Sequence, residues 1–298
     1  MNHEMTPISS PYAAIKIVLT PKEKDLGGFT VKRSLPTRKC RSVGPWVFFD
    51  HIGPASFSPG DGVDVPPHPH IGLATVTYLF EGEMLHRDSL GNTARIVPGD
   101  INLMVSGKGI THSERQRPET KAANNHVHGL QLWLALPQAQ EQIDPEFYSY
   151  EQRQLPRTEV QGVPVRVMMG EAYDVVSPVK TYSPTLYCEA KLKAGQTLTL
   201  PHAAERGLYL VNGQLELMGD PIDAQTMVIL TDQPDIEVTA REDSVIVLVG
   251  GETLGTRYMD WNFVASNKSL IEQAKQNWQQ GNFPIVPGDE HDYIPLPN

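Results

Sequence analysis

The chain has 298 residues, 40 % hydrophobic and 20 % charged, with a formal net charge of −10. That length exceeds a usual single core, so two domains are expected, and the composition excludes global disorder. The acidic balance gains no general attraction to phosphate backbones, which argues against direct nucleic-acid binding, and two cysteines, Cys40 and Cys188, are too few for a disulfide framework or a thiolate zinc site.

The opening stretch MNHEMTPISSPYAAIKIVL has no basic region followed by an apolar core, so it does not read as a secretory signal. The longest apolar run, VIVLVG near Val245, is too short to cross a bilayer. With reduced thiols, these features predict a cytoplasmic protein with no membrane contact. Along the chain, AAIKIVL, TVTYLF, ARIVP, INLMV, GLQLWLAL, VRVMMG, LYCEAKL, TLTL, TMVIL and VIVLVG are short, β-branched or aromatic, and separated by turn residues. Many short strands without long crossover helices predict an all-β sandwich or barrel. Trp46, Phe48 and Phe49 in GPWVFFD read as core, with some able to wall a nearby pocket. The polar, proline-bounded segment Leu136–Pro156 reads as the connection between halves, with room for a short helix. Tyr78–Leu85, YLFEGEML, recurs as Tyr209–Glu216, YLVNGQLE. Each reads as a strand, a tight glycine turn and a returning strand, which predicts a duplicated barrel. Near the end, SNKSLIEQAKQNWQQGNFP offers Ser266 or Asn267 as N-cap and Leu270, Ile271, Ala274 and Trp278 at helical spacing. Gly281 follows as C-cap. PGDEHDYIPLP reads as a surface tail.

Four residues carry candidate chemistry. His68 and His70 stand two apart, as do His112 and Glu114. Alternate residues of a strand share a face, so each pair can aim at one point, and adjacent strands could bring the points together. Three imidazoles and one carboxylate suit Fe, Mn, Co, Ni, Cu or Zn better than Mg or Ca. In six-coordinate geometry such a set leaves two positions for substrate, water or dioxygen. His51, His86, His126 and His128 are competing ligands or supporting groups, while His3 and His291 lie near the termini. Pro66, Pro67 and Pro69 hold the first pair extended. Gly107 and Gly109 permit a turn that aims the second pair. The stretch where the repeat would place a second His-x-His pair holds Thr199 and Pro201, and the second half has too few histidines to build another such centre. No Lys/Arg cluster near these motifs suggests a phosphate substrate, because Arg87, Arg95, Lys108 and Arg115 are scattered.

GPWVFFDHIGP, PHPHIGLATVTYLFEGEMLHRDSLGN, VPGDINLMVSGKGITHSE and the late FVASNKSLIEQAKQNWQQGNFP together resemble the pirin family of the cupin superfamily. The resemblance covers most of the chain. It implies two cupin-type antiparallel β-barrel (jelly-roll) domains facing each other, with a C-terminal helix. The expected division is 1–137 for a metal-binding domain and 138–298 for one without metal. It also implies a single metal, usually iron as Fe(II), and carries the family's ligand pattern onto His68, His70, His112 and Glu114. Ni, Cu, Mn, Co and Zn accept the same set. Many members continue the first motif as His-Arg-Gly-Phe-Glu, where this chain has His70-Ile71-Gly72-Leu73-Ala74. That departure predicts a less charged pocket and a different substrate preference.

Some members resemble flavonol dioxygenases. The implied activity is oxidation of a small aromatic, quercetin-type substrate by dioxygen, with Glu114 as general base because it is the one carboxylate of the set. The competing expectation is a non-catalytic iron-binding regulator that acts through a protein partner and responds to the redox state of its metal.

Overall fold

The computed structural model describes residues 14–26 and 28–297. His3 and the first thirteen residues of the opening stretch lie outside them. The short apolar segments form strands, and each half is built from two antiparallel sheets. In the first half a seven-stranded sheet runs in the order Glu146–Tyr150, Ile101–Val105, Leu73–Gly82, Asn125–Ala135, Trp46–Phe57, Thr30–Leu35, Lys22–Asp25. It faces a four-stranded sheet of Asp64–His70, Ile110–Arg115, Met84–Asp88 and Thr93–Ile96. The second half repeats the plan with an eight-stranded and a four-stranded sheet. These are two cupin barrels.

The large sheets pack face to face, and strand alternation explains how one strand serves two cores. Leu130, Leu132 and Leu134 point toward the other barrel and share a core with Tyr187, Tyr209, Val247 and Val249. Trp133 and Ala135, which alternate with them in sequence, face a separate cluster on the inner side. In the second barrel Val247 and Val249 join the shared core, whereas Ile246 and Leu248 fill an interior that is apolar. Each large apolar side chain so buried contributes about 1.5–3 kcal/mol. The halves are also stitched by polar contacts, since the Trp46 Nε1–H reaches the Leu186 and Gly250 carbonyls at 3.2 and 3.1 Å.

Both ends of the chain cross over. Ile15–Leu19 pairs with Met227–Leu230 at the edge of the second barrel's large sheet. In the segment expected to be a connection with room for a short helix, Glu146–Tyr150 pairs with Ile101–Val105 of the first, followed by a 3-10 turn at Gln152–Gln154. The repeated glycine motif is not a hairpin. Gly82 ends a strand of the seven-stranded sheet and Met84 begins one of the opposing sheet; Gly213 makes the same change in the second half. Both glycines have positive φ, and a Cβ on Gly82 would collide with the His126 carbonyl oxygen. The glycine therefore turns a barrel corner rather than a tight strand pair.

The C-terminal helix is Lys268–Gln279, with the Asn267 side chain capping the Ser269 N–H at 2.9 Å and Gly281 beyond the last turn at φ +72°. Ile271 and Ala274 bury its inner face against Ile71, Phe263 and Ala265. The strand pair Tyr258–Asp260 and Phe263–Ala265 precedes it, and Ile71 bridges to Phe263. The end of the chain is thus strapped onto the first barrel. Among the described residues no helix is long and apolar enough to cross a membrane, and Cys40 and Cys188 are free thiols.

Candidate metal centre

The two motif strands lie side by side, as their spacing suggested. Asp64–His70 pairs antiparallel with Ile110–Arg115, so that His112 stands opposite His68 and Ile110 opposite His70. The register shifts between His112 and Glu114, beside the prolines. A proline has no N–H for the ladder, which makes this side tolerant of a shift. On its other edge Ile110–Arg115 pairs with Met84–Asp88, placing His112 opposite Asp88 and Glu114 opposite His86. His68, His70, His86, Asp88, His112 and Glu114 therefore share the inner face of the small sheet.

His68, His70 and His112 form a group whose ligand atoms all lie within 4.8 Å of one another. They are buried, at 7, 1 and 1 % exposure. Burial pushes their imidazoles below the ordinary value, His70 and His112 far below, although Glu114 pulls His68 back upward. They are therefore neutral, as a metal ligand must be. His68 Nδ1–H donates to the Pro66 carbonyl at 2.9 Å, and His70 Nδ1–H donates to the Asn262 carbonyl at 3.1 Å. A carbonyl only accepts, so each ring keeps its lone pair on Nε2. His70 and His112 Nε2 lie 3.1 Å apart. Converging lone pairs repel, and a shared cation turns that repulsion into two bonds, so the donor set fits a metal ion.

Glu114 is buried on the same face but is not in the close histidine group. Its Oε1 accepts from Gln131 Nε2 at 2.6 Å, with Thr77 Oγ1 at 3.5 Å. Gln131 belongs to a polar row across the opposing sheet, in register with Asp50 on one side and Thr77 on the other. A pocket of about 600 Å³ reaches His68 and Glu114. Phe48 and Trp133 form its aromatic wall, stacked at 3.8 Å and 9°, and Trp133 meets His70 edge-on at 5.1 Å. Arg33 lies over Phe48 and forms a paired salt bridge with Asp50 at 2.8 and 2.7 Å. Lys22, Lys24, Trp261 and Ile294 also line the pocket. Of the expected aromatic trio, Trp46 and Phe49 are core and Phe48 is wall.

The competing histidines separate cleanly. His86 contacts His112 at 3.4 Å through the two Nδ1 atoms and is held by Asp88 at 3.0 Å. His51 is buried at the interface between barrels, bonded to Tyr209 at 2.7 Å and His128 at 2.8 Å. Burial pushes His51 down to about 3, so it stays neutral. His126 is exposed beside Glu81.

Two sequence expectations are corrected. Ile71–Ala74 does not line the pocket. Ile71 docks the C-terminal helix, and Gly72, at φ +68°, runs against the Val264 carbonyl. The departure from the common motif therefore concerns docking of the strap, not pocket charge. The surface tail does more than lie on the surface: Asp289 and Asp292 pair with Arg115, and Ile294 donates its N–H to the Pro67 carbonyl at 2.9 Å. Neither Asn262 nor the His86–Asp88 pair was foreseen. A histidine and an acid two residues apart on a strand were the available signal for the second.

Two facing cupin barrels, one apolar inside and one with three buried, neutral imidazoles at a pocket, define a bicupin whose first half carries, among the described residues, a histidine triad able to hold a metal. The family model described as Pirin matches residues 28–134, and that of the Pirin C-terminal cupin domain matches residues 187–284. The chain belongs to the pirin family. It is 43 % identical to a pirin-like protein of Caulobacter vibrioides over 95 % of this chain and 99 % of that one. It is 31 % identical to human pirin over 86 % of this chain and 89 % of that one. The crystal structure of a quercetin 2,3-dioxygenase from Acinetobacter baumannii superposes with a TM-score of 0.88 at 33 % identity, covering 95 % of each chain.

Proposed function

We propose that this protein is a metal-dependent dioxygenase acting on a flavonol-like, quercetin-type substrate, with Fe(II) held by His68, His70, His112 and Glu114. The observation that carries the reading is a pocket with a stacked aromatic wall leading to neutral imidazoles whose Nε2 lone pairs converge. Similarity to the Acinetobacter dioxygenase supports the reaction class. When bound, the metal would supply Lewis acidity to the substrate's oxygens and a path for electrons to dioxygen. The rest falls to the chain. Phe48 and Trp133, stacked on each other with Arg33 over Phe48, line the pocket with aromatic surface against which a planar ring system can pack. Gln131 and Thr77 both address Glu114 Oε1, which leaves Oε2 to bind metal or take the substrate's hydroxyl proton. In this reading Glu114 is the general base.

The test is aerobic turnover of quercetin and related flavonols by iron-loaded protein, read as oxygen uptake and loss of flavonol absorbance. Glu114→Gln is expected to keep its metal and lose about 10²–10⁴-fold in turnover. Undiminished turnover with metal retained removes the base assignment. No turnover across the panel by a fully metallated wild type favours the non-catalytic, partner-binding reading. Reconstitution with Ni, Cu, Mn, Co and Zn in parallel identifies the supporting metal.

A further inference from the structure

We infer that His86, locked by Asp88, is a positioning residue that makes His112 the most electron-rich imidazole of the metal centre. The inference rests on the metal-site reading above. The three imidazoles have different partners behind them. His68 and His70 donate Nδ1–H to neutral backbone carbonyls, of Pro66 and Asn262. His112 alone has another imidazole behind it, His86 Nδ1 at 3.4 Å, and His86 Nε2 meets Asp88 Oδ2 at 3.0 Å.

The direction of each bond follows from Asp88. Its carboxylate only accepts, so His86 carries its proton on Nε2. With that proton on Nε2, His86 Nδ1 is the acceptor and His112 donates Nδ1–H to it. That leaves the His112 lone pair on Nε2, facing the centre. Asp88 cannot swing away. Its Oδ1 takes the Leu90 and Asn92 backbone N–H groups at 2.9 and 3.1 Å, and the Asn92 side chain bridges both oxygens. His86 cannot easily flip, because Phe147 stacks on it at 4.4 Å and 14°. Asp88, His86 and His112 are 0, 3 and 1 % exposed, so water does not screen the carboxylate's charge along the chain. The Asp88 charge behind His86 polarises the His112 Nδ1–H bond more than a neutral carbonyl polarises the other two. A ligand so polarised donates more electron density to a metal, binds it tighter and favours the higher oxidation state.

The experiment loads ferrous iron anaerobically into the full chain and competes it against a chromophoric chelator, then titrates the iron's midpoint potential spectroscopically. Asp88→Asn removes the charge, and His86→Phe keeps the stack on Phe147 but removes the acceptor. Both are expected to weaken iron binding about 10–100-fold and raise the midpoint potential. His86→Gln presents an amide oxygen to His112 Nδ1–H without charge. It should recover part of the affinity while the potential stays raised, which a merely structural role would not produce. Thermal melts check that each variant is folded, and His86→Gln alone suffices if Asp88→Asn fails to fold. Wild-type affinity and potential in His86→Phe or His86→Gln overturn the inference. Loss in His86→Phe with wild-type values in folded Asp88→Asn overturns the part assigned to Asp88. A wild type that takes up no iron overturns the metal-site reading and this inference with it.

Discussion

Replacing Gly72 by Ala tests whether the metal centre depends on the strap from the far end of the chain. Gly72 sits two residues past His70, the end of the ligand strand, at φ +68°, a conformation that costs an L-residue about 1–2 kcal/mol. Reduced freedom of the unfolded chain returns about 0.4–1 kcal/mol. The larger effect is steric. A Cβ at Gly72 would collide with the Val264 carbonyl oxygen, a backbone atom. Gly72 cannot retreat, because its N–H donates to the Gly107 carbonyl at 2.8 Å and its own carbonyl accepts from Leu136 at 2.9 Å. Relieving the overlap means displacing Phe263–Ala265, at a cost of about 1–3 kcal/mol. The same strand pair carries Asn262, whose carbonyl orients His70. Gly72→Ala is therefore expected to lose about 2–4 kcal/mol in denaturant unfolding and about 10-fold in iron affinity. Gly195 is the control. It has φ +84°, and a Cβ added there would meet nothing within 4 Å, so Gly195→Ala should cost about 1 kcal/mol and leave iron affinity unchanged. If Gly72→Ala is as stable as Gly195→Ala and binds iron like wild type, the coupling between strap and centre is refuted.

His68→Ala and His112→Ala should each drop iron content from about one equivalent to background in elemental analysis, with melting behaviour showing the fold intact; metal retained at wild-type affinity would count against the ligand set. Glu83 loses solvation on burial, which raises its carboxyl, but hydrogen bonds from Arg117, Thr120 and Arg95 outweigh this and hold it down from 4.5 to about 2. A depressed carboxyl stabilises the fold above its unfolded value and loses that stabilisation as pH falls through its folded value. Glu83→Gln should therefore be less stable than wild type at pH 7, and the gap should close between about pH 4.5 and 2. A gap that persists at pH 2 would show that the ion pairs are not its source.

Much of the centre was legible because its signals are local. His68, His70, His112 and Glu114 share a face through the two-residue period of a strand, which any sequence displays directly. The helix at Lys268–Gln279 was equally plain, since Asn267 and Gly281 mark its ends through caps that act within a few residues. The repeated glycine was visible, but its role was not. A strand–glycine–strand pattern reads the same whether the chain returns to its own sheet or changes sheets at a corner, and only the partners across the ladder distinguish the two.

The rest depended on contacts between residues far apart in the chain. Asn262 orients His70 through a backbone carbonyl, an atom every residue has, so no residue type could announce it. Arg115 looked like a scattered cation until the tail brought Asp289 and Asp292 to it. The motif departure at Ile71–Ala74 looked like a change of pocket chemistry, whereas Ile71 is buried against Phe263 and Ile271 and docks the strap. Strand faces, helix caps and ligand types were written in the amino-acid order, because they follow from side-chain chemistry and short periodicities. Which imidazole has a carboxylate behind it, which oxygen of Glu114 is held, and how the chain's end closes on the first barrel emerged only in three dimensions, because those are set by where distant backbones meet.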